Sequence, residues 1–245
     1  MIKSREYGLI GKNIDYSFSK RFFSEKFENE DLNCKYSNFN IKNISNVQTI
    51  LHKTTIYGFN VTIPYKEEII KFLDVIDETA KTIGAVNTIK KINNKNIGFN
   101  TDFIGFEKSL LSLIENKKPK KALILGSGGA SKAIKYVLKK LDIYYNTVSR
   151  KKGKSELIYE NLNNEIIKSF KLIINCSPVG TYPNTNNCPN IPYEYLTNDH
   201  ILYDLVYNPI ESLFLKKGRI SGCKVKNGLE MLEIQANESW RIWNS

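Results

Sequence analysis

Ala122-Leu123-Ile124-Leu125-Gly126-Ser127-Gly128-Gly129-Ala130-Ser131 is the stretch on which the fold reading turns. Four consecutive apolar residues predict a strand buried on both faces. The glycines predict a tight turn, and Ser131 to Lys140 has helical spacing. In that order, strand, glycine turn and helix let a backbone approach a pyrophosphate at a helix N-terminus. The G-x-G-x-x-G pattern is incomplete, because Ser131 holds the third position, and a strand-to-helix turn without a ligand is the plain alternative.

Downstream, Tyr144 to Ser149, Lys171 to Cys176 and His200 to Val206 read as further strands, and their alternation with helical stretches predicts a parallel sheet. An NAD-binding sheet usually ends its second strand with an acid for the ribose 2′-hydroxyl. This chain has Ser149-Arg150-Lys151-Lys152 there. Guanidinium and ammonium groups suit a 2′-phosphate, which points to NADP; an exposed basic loop is the alternative. Tyr182 to Pro192, rich in Asn and Pro, reads as a loop.

Upstream, the polar stretch Asn116-Lys117-Lys118-Pro119-Lys120-Lys121 marks a boundary. Before it, strands are expected at Tyr7 to Gly11, Cys34 to Phe39 and Ile56 to Ile63. A turn holding Ser17-Phe18-Ser19 should lead into a helix through Phe22, Phe23 and Phe27, and the chain from Ile41 to His52 looks helical. Asn87 to Ile92 and Asn96 to Asn100 predict a hairpin around Asn93-Asn94, since asparagine tolerates the positive φ of tight turns. In the closing segment Leu229, Leu232, Ala236, Trp240 and Trp243 share one helical face, with Met231 and Gln235 on an adjoining stripe. The expected organisation is a two-domain α/β protein. Residues 1–102 form a first α/β unit, residues 103–118 a connecting helix and linker, and residues 119–212 a Rossmann-like NADP-binding domain with a parallel sheet.

Composition narrows the function. With 41% hydrophobic residues in 245 and no apolar run near the roughly 18 needed to cross a bilayer, the chain reads as globular and cytoplasmic. The four cysteines are widely spaced without a C-x-x-C pair and there are two histidines, which supports no metal site and reads as reduced thiols. A net charge of +11 raises nucleic-acid binding, but the lysines are scattered rather than gathered on a basic helix. Neither a nucleic acid nor a membrane is expected as partner.

Three segments carry the chemistry: Gly58-Phe59-Asn60-Val61-Thr62-Ile63-Pro64-Tyr65-Lys66, Gly84-Ala85-Val86-Asn87-Thr88, and Gly98-Phe99-Asn100-Thr101-Asp102-Phe103-Ile104-Gly105. They gather amide, hydroxyl, ammonium and carboxylate groups, a mixture suited to a polyhydroxylated small molecule. Pro64 followed by Glu67 and Glu68 predicts a helix start with Lys66 in its first turn. An ammonium there faces the positive end of a helix dipole, an electrostatically unfavourable setting suited to an acid/base lysine. Asp102 opens the apolar helical run through Phe106, Leu110 and Ile114. The residues alone leave open an ordinary exposed lysine and an N-cap aspartate.

Segment by segment the chain resembles the shikimate dehydrogenase family. Asn60-Val61-Thr62-Ile63-Pro64-Tyr65-Lys66 is similar to its NVT-x-P-x-K segment, and Asn100-Thr101-Asp102 with Gly105 to NTD-x-x-G. Asn175-Cys176-Ser177-Pro178-Val179-Gly180 is similar to N-x-[ST]-P-x-G, Asp204-Leu205-Val206-Tyr207-Asn208-Pro209 to D-x-x-Y-x-P, and Asn227-Gly228-Leu229-Glu230-Met231-Leu232 with Gln235-Ala236 to the family's ending.

The resemblance implies that residues 1–102 are an α/β substrate-binding domain completed by C-terminal helices in 213–245, and that the reaction is reversible hydride transfer between NADPH and the C3 ketone of 3-dehydroshikimate, with Lys66 as acid/base and Asp102 as its catalytic partner. It implies that Ser17 and Ser19 bind the substrate carboxylate and that Thr62, Asn87, Asp102 and Gln235 bind ring hydroxyls, with Asn60 and Tyr207 near. Gly126, Ser127, Gly128, Gly129 and Ala130 would hold the nucleotide, Ser149, Arg150 and Lys151 its 2′-phosphate end, and Leu205, Gly228 and Met231 its nicotinamide end. Two departures stand out. The family follows its paired serines with proline and then histidine and asparagine, where this chain has Lys20-Arg21-Phe22-Phe23, and of the Asn-Arg-Thr at the nucleotide strand's end only Arg150 is kept. The alternatives are an NAD-using quinate/shikimate dehydrogenase and a noncatalytic shikimate-binding sensor; a monomer or homodimer is expected.

Overall fold

Tyr7 and Ile10 point to opposite faces of a strand, Arg5–Gly11 (β1), and both are fully buried in the computed structural model, which describes residues 4–15, 17–115, 118–151, 153 and 155–245. Asn116 and Lys117 of the expected boundary and Lys152 of the basic run lie outside the described residues. After β1 come α1 (Phe18–Asn29), β2 (Cys34–Asn40), α2 (Val47–Leu51), β3 (Ile56–Val61), β4 (Val75–Ile76), α3 (Glu78–Ile83), β5 (Thr88–Ile92) and β6 (Lys95–Phe99). They build a six-stranded sheet in the order β2-β1-β3-β5-β6-β4, in which β5 is antiparallel to β3 and β6. The hairpin sits where expected, with Asn93 and Asn94 at φ 50 and 62.

Because side chains alternate along a strand, the two faces of this sheet carry different chemistry. Ile10, Phe59, Val61 and Ile89 pack with Val47, Leu51, Tyr65 and Ile69 into an aliphatic core. The other face presents Tyr7, Gly58, Asn60 and Thr88. On it Trp243 stacks against Tyr7 at 4.7 Å between ring centres. Gly58 has to be glycine here, since a Cβ would stand 2.3 Å from Trp243 Nε1.

The chain continues through α4 (Asp102–Ile114), β7 (Lys121–Leu125), α5 (Gly129–Lys140), β8 (Tyr144–Ser149), β9 (Leu157–Ile158), α6 (Asn164–Ser169), β10 (Leu172–Asn175), β11 (Ile201–Asp204), α7 (Leu213–Ile220), β12 (Lys224–Lys226) and α8 (Leu229–Asn244). A second sheet, entirely parallel, has the order β12-β11-β10-β7-β8-β9. Counted from its own first strand, this is 3-2-1-4-5-6, the doubly wound Rossmann order, whose switch point lies between β7 and β10. By contacts the chain divides into two units, one running to Ile104 and including Glu233–Ser245, the other Gly105–Leu232.

Several expectations need correction. Residues 213–232 belong with the second unit, because β12 pairs in parallel with β11. No α-helix follows Pro64. The Lys66 carbonyl accepts from Val86 N at 2.7 Å, while Ile70 N turns to the Glu67 carbonyl at 3.4 Å, and Glu68–Phe72 winds as a 3-10 helix. Ser19 lies inside α1, which begins directly after Ser17. The region Ile41 to His52 splits into a 3-10 turn, Ile44–Asn46, and the short α2. The short β4 and α3 were not anticipated; Asp77 caps α3 by accepting from Thr79 N and Ala80 N, and Gly84 ends it at φ 71. Cys223 is buried and the other three thiols are half-buried, all four free. His200, fully buried, accepts from Thr197 N and donates to the Ile167 carbonyl, tying the loop before β11 to α6. Among the described residues no helix is long and apolar enough to cross a membrane, and no group of three or more His, Cys, Asp or Glu could hold a metal.

Candidate active site

Three backbone bonds bring the polar segments of the first unit together. Val86 N donates to the Lys66 carbonyl, Val61 N to the Asn87 carbonyl and Asn87 N to the Phe99 carbonyl. Tyr65, buried, anchors the turn between β3 and Lys66 by donating its hydroxyl to the Ile41 carbonyl at 2.8 Å. Lys66 is thereby held just past the end of β3, Asn87 just before β5, and Asp102 at the first residue of α4.

Lys66 Nζ lies 2.7 Å from Asp102 Oδ2, with side chains 14% and 6% exposed. Asp102 Oδ1 accepts from Asn87 Nδ2 at 2.9 Å. The cap of α4 is Asn100, whose Oδ1 accepts from Phe103 N, so the Asp102 carboxylate is directed to Lys66 and Asn87. The Asn87 amide is fixed in orientation because its Oδ1 accepts from Thr101 N at 2.7 Å, and a backbone N–H can only donate. Its Nδ2 also meets Thr101 Oγ1 and Gln235 Oε1 at 2.9 and 3.2 Å. The first unit therefore joins Lys66, Asp102, Asn87 and Gln235 in one continuous cluster. An ammonium held by a carboxylate, beside amides of fixed direction, can deliver and recover a proton at an oxygen whose neighbouring hydroxyls the amides hold.

The other expected substrate groups stand in a second cluster. Ser17 Oγ caps α1 by accepting from Lys20 N and lies 3.2 Å from Asn38 Oδ1, to which it donates. The Ser19 hydroxyl meets that of Tyr36, whose ionisation burial pushes up. Tyr36 in turn donates to Asn60 Oδ1 at 2.8 Å, and Asn60 Nδ2 reaches Ser239 Oγ at 2.9 Å. Asn60, 4% exposed, is thus engaged at both ends of its amide inside the protein. Thr62 is half-buried at the end of β3. The loop shape that Lys20-Arg21-Phe22-Phe23 puts in question resolves as an immediate entry into α1, with Phe23 stacked on Tyr36.

In the second unit, Gly126 ends β7 at φ 111, and a Cβ there would stand 3.2 Å from Ser177 N, so the turn runs against the end of β10 at the switch point. Gly128 precedes α5 without a side-chain cap, and a Cβ on it would meet nothing within 4 Å. The first N–H groups of α5, at Gly129 and Ala130, are thus uncapped by Gly128 in a turn that a larger backbone group can approach, which fits a pyrophosphate. Arg150 and Lys151 are exposed just past β8, while Ser149 Oγ donates to the Lys151 carbonyl at 2.7 Å and shapes their loop. Gly228 lies against Leu205, where a Cβ would stand 2.3 Å from the carbonyl oxygen, and Met231 is buried in the first turns of α8. Tyr207 is half-buried beyond β11.

The family profile of the shikimate dehydrogenase substrate binding domain matches residues 9–89. The shikimate dehydrogenase (NADP+) of Methanococcus vannielii is 41% identical, the alignment covering 96% of this chain and 90% of that protein. The chain belongs to the shikimate dehydrogenase family. The corresponding enzyme of Clostridium botulinum is 40% identical over 96% of this chain and 95% of its own. A solved shikimate dehydrogenase in complex with NADP+ superposes with a TM-score of 0.85 at 34% identity, covering 98% of this chain and 90% of that one.

Three fully buried polar residues of the first unit have no role assigned from the sequence: Thr88 and Thr101, which lie within the chemistry-bearing segments, and Ser239, which lies outside them. Thr88 and Asn60 are cross-strand partners in β3 and β5, and so point to the same face. The only available signal for Ser239 was its place four residues beyond Gln235 on the stripe shared with Met231.

Proposed function

We propose that this chain is an NADP-dependent shikimate dehydrogenase that reversibly reduces 3-dehydroshikimate to shikimate. The observation that carries the reading is the Lys66–Asp102 contact at 2.7 Å, nearly closed to solvent and joined through Asn87 to Gln235. Relatives of this name at about 40% identity over nearly the whole chain support the substrate and cofactor.

NADPH, when bound, supplies the hydride. Lys66 Nζ gives a proton to the C3 oxygen as the ketone becomes an alcohol, and recovers it in the reverse direction. Asp102 fixes the ammonium through Oδ2 and, with Asn87, Thr62 and Gln235, holds ring hydroxyls. Ser17 and Ser19 turn their hydroxyls to the carboxylate of the substrate, exchanging Asn38 and Tyr36 for it. Gly126 to Ala130 would hold the pyrophosphate and Arg150 and Lys151 the 2′-phosphate, with Ser149 shaping that loop. Leu205, Gly228 and Met231 would flank the nicotinamide, and Tyr207 would lie near the ring hydroxyls of the substrate. Soluble small-molecule chemistry of this kind fits a cytoplasmic enzyme.

The test is absorbance at the nicotinamide band with shikimate or quinate against NADP+ or NAD+. Turnover of shikimate with NADP+ preferred is expected. Preference for NAD+ and quinate would move the assignment to a quinate/shikimate dehydrogenase, and ligand binding without turnover would favour a sensor.

A further inference from the structure

Ser239 belongs to no motif, yet it is the point where four polar groups of the first unit meet. It is fully buried on α8. Its Oγ donates to the Gln235 carbonyl at 2.9 Å, accepts from Asn60 Nδ2 at 2.9 Å, and lies 2.8 Å from Thr88 Oγ1 and 3.2 Å from Thr101 Oγ1. Serine has no propensity advantage over alanine inside a helix, so what it contributes at a sealed position is hydrogen bonding.

Counting protons gives the cluster a direction. A hydroxyl carries one proton and two lone pairs. With its proton on the Gln235 carbonyl, Ser239 can only accept from its other neighbours. Asn60 fills one lone pair and the nearer threonine hydroxyl, Thr88, fills the other. Thr88 then has no proton left for Asn87 Oδ1, which stands 3.1 Å away, and that oxygen stays with Thr101 N at 2.7 Å. Asn87 Nδ2 gives one proton to Asp102 Oδ1 at 2.9 Å and shares the other between Thr101 Oγ1 at 2.9 Å and Gln235 Oε1 at 3.2 Å, and Thr101 Oγ1 lies 3.3 Å from the same Gln235 oxygen. Thr101 N already fixes the Asn87 amide, and the one acceptor on α8 decides whether the Thr88 proton stays on Ser239 or turns to Asn87 Oδ1.

We infer that Ser239 is a positioning residue for substrate-hydroxyl recognition, acting through Thr88 on the amide of Asn87. This rests on the reading of Asn87 as a hydroxyl-binding group. Without the Ser239 oxygen, the Thr88 proton turns to Asn87 Oδ1 and Asn60 loses its shortest acceptor. Recognition of the substrate loosens while the cofactor's own residues, all in the other unit, are untouched.

The experiment compares Ser239→Ala, Asn87→Ala and the double variant for KM of shikimate, kcat, the dissociation constant of NADP+ by fluorescence, and melting temperature. Expected for Ser239→Ala is a KM raised about fivefold, the scale of one lost hydrogen bond, with a smaller change in kcat and unchanged NADP+ binding. The double variant should have the KM of Asn87→Ala alone, because the path runs through Asn87. If Asn87→Ala raises KM and Ser239→Ala alters only the melting temperature, the inference falls and the proposed function stands. If Asn87→Ala leaves KM unmoved, the substrate-site reading falls with it. Ser239→Cys, which keeps a γ atom but weakens the acceptor, is read by the same criteria should the alanine protein be unstable.

Discussion

The two units build their candidate sites from different materials. In the first unit side chains saturate one another in a nearly closed cluster, from Lys66 through Asp102 and Asn87 to Gln235. In the second the features are backbone: Gly128 caps nothing with a side chain, its Cβ position is open, and the basic groups beyond β8 are exposed. A proton-transfer site needs particular atoms at fixed distances. A pyrophosphate needs room and several N–H groups, which any sequence allowing close approach supplies. Single substitutions should therefore act sharply and specifically in the first unit, and through space and affinity in the second.

The largest expected effect tests the closed cluster. Lys66→Ala should lower kcat by about 10²- to 10⁴-fold, the range for losing a positioned acid/base group. Shikimate affinity by calorimetry should stay within a few-fold. Similar losses in both would mean that Lys66 binds substrate and does not serve its chemistry.

The second unit contains one closed cluster of its own, which sharpens the contrast. Asp204, fully buried, accepts from Asn175 Nδ2, Val206 N and Ser212 Oγ at 2.9, 3.0 and 2.5 Å. Burial nevertheless pushes its carboxyl from 3.8 up to about 6. A raised folded-state value means that the native protein holds this proton more tightly than the unfolded chain. Its stabilisation is present below about pH 4 and is lost as pH rises through 6. Relative to Asp204→Asn, which stays neutral, the unsubstituted protein should lose roughly 2 kcal/mol between pH 4.5 and 7 in urea unfolding. A pH-independent difference would show that Asp204 is ionised throughout.

A smaller effect probes the open site. Gly128 sits at φ −79, which alanine adopts freely, and a Cβ there meets no protein atom. Gly128→Ala should therefore leave the melting temperature unchanged, yet weaken NADP+ binding about tenfold by occupying the approach to α5. Loss of stability without loss of affinity would place the pyrophosphate elsewhere.

Local signals were legible in the sequence and nonlocal ones were not. The strand, glycine turn and helix at 121–140 and the Asn93-Asn94 hairpin are decided within a few residues, and they stand nearly where expected. The turn after Pro64 was misread because a bond from Val86, twenty residues on, takes the Lys66 carbonyl that an α-helix would have used. Residues 213–232 were misplaced because β12 is three residues long and only its pairing with β11 reveals it. Of the site, Lys66 and Asp102 were visible through the family resemblance; chemistry alone left a surface lysine and a cap. Ser239 offers only its place four residues beyond Gln235, a spacing that gains meaning once Asn60 and Thr88 are found facing it.

The most direct measurement follows NADPH formation from shikimate and NADP+ in the unsubstituted and Lys66→Ala proteins, side by side at saturating substrate. The account predicts turnover in the first and at least a hundredfold loss in the second. Equal turnover, or activity in the unsubstituted protein with NAD+ alone, would contradict it.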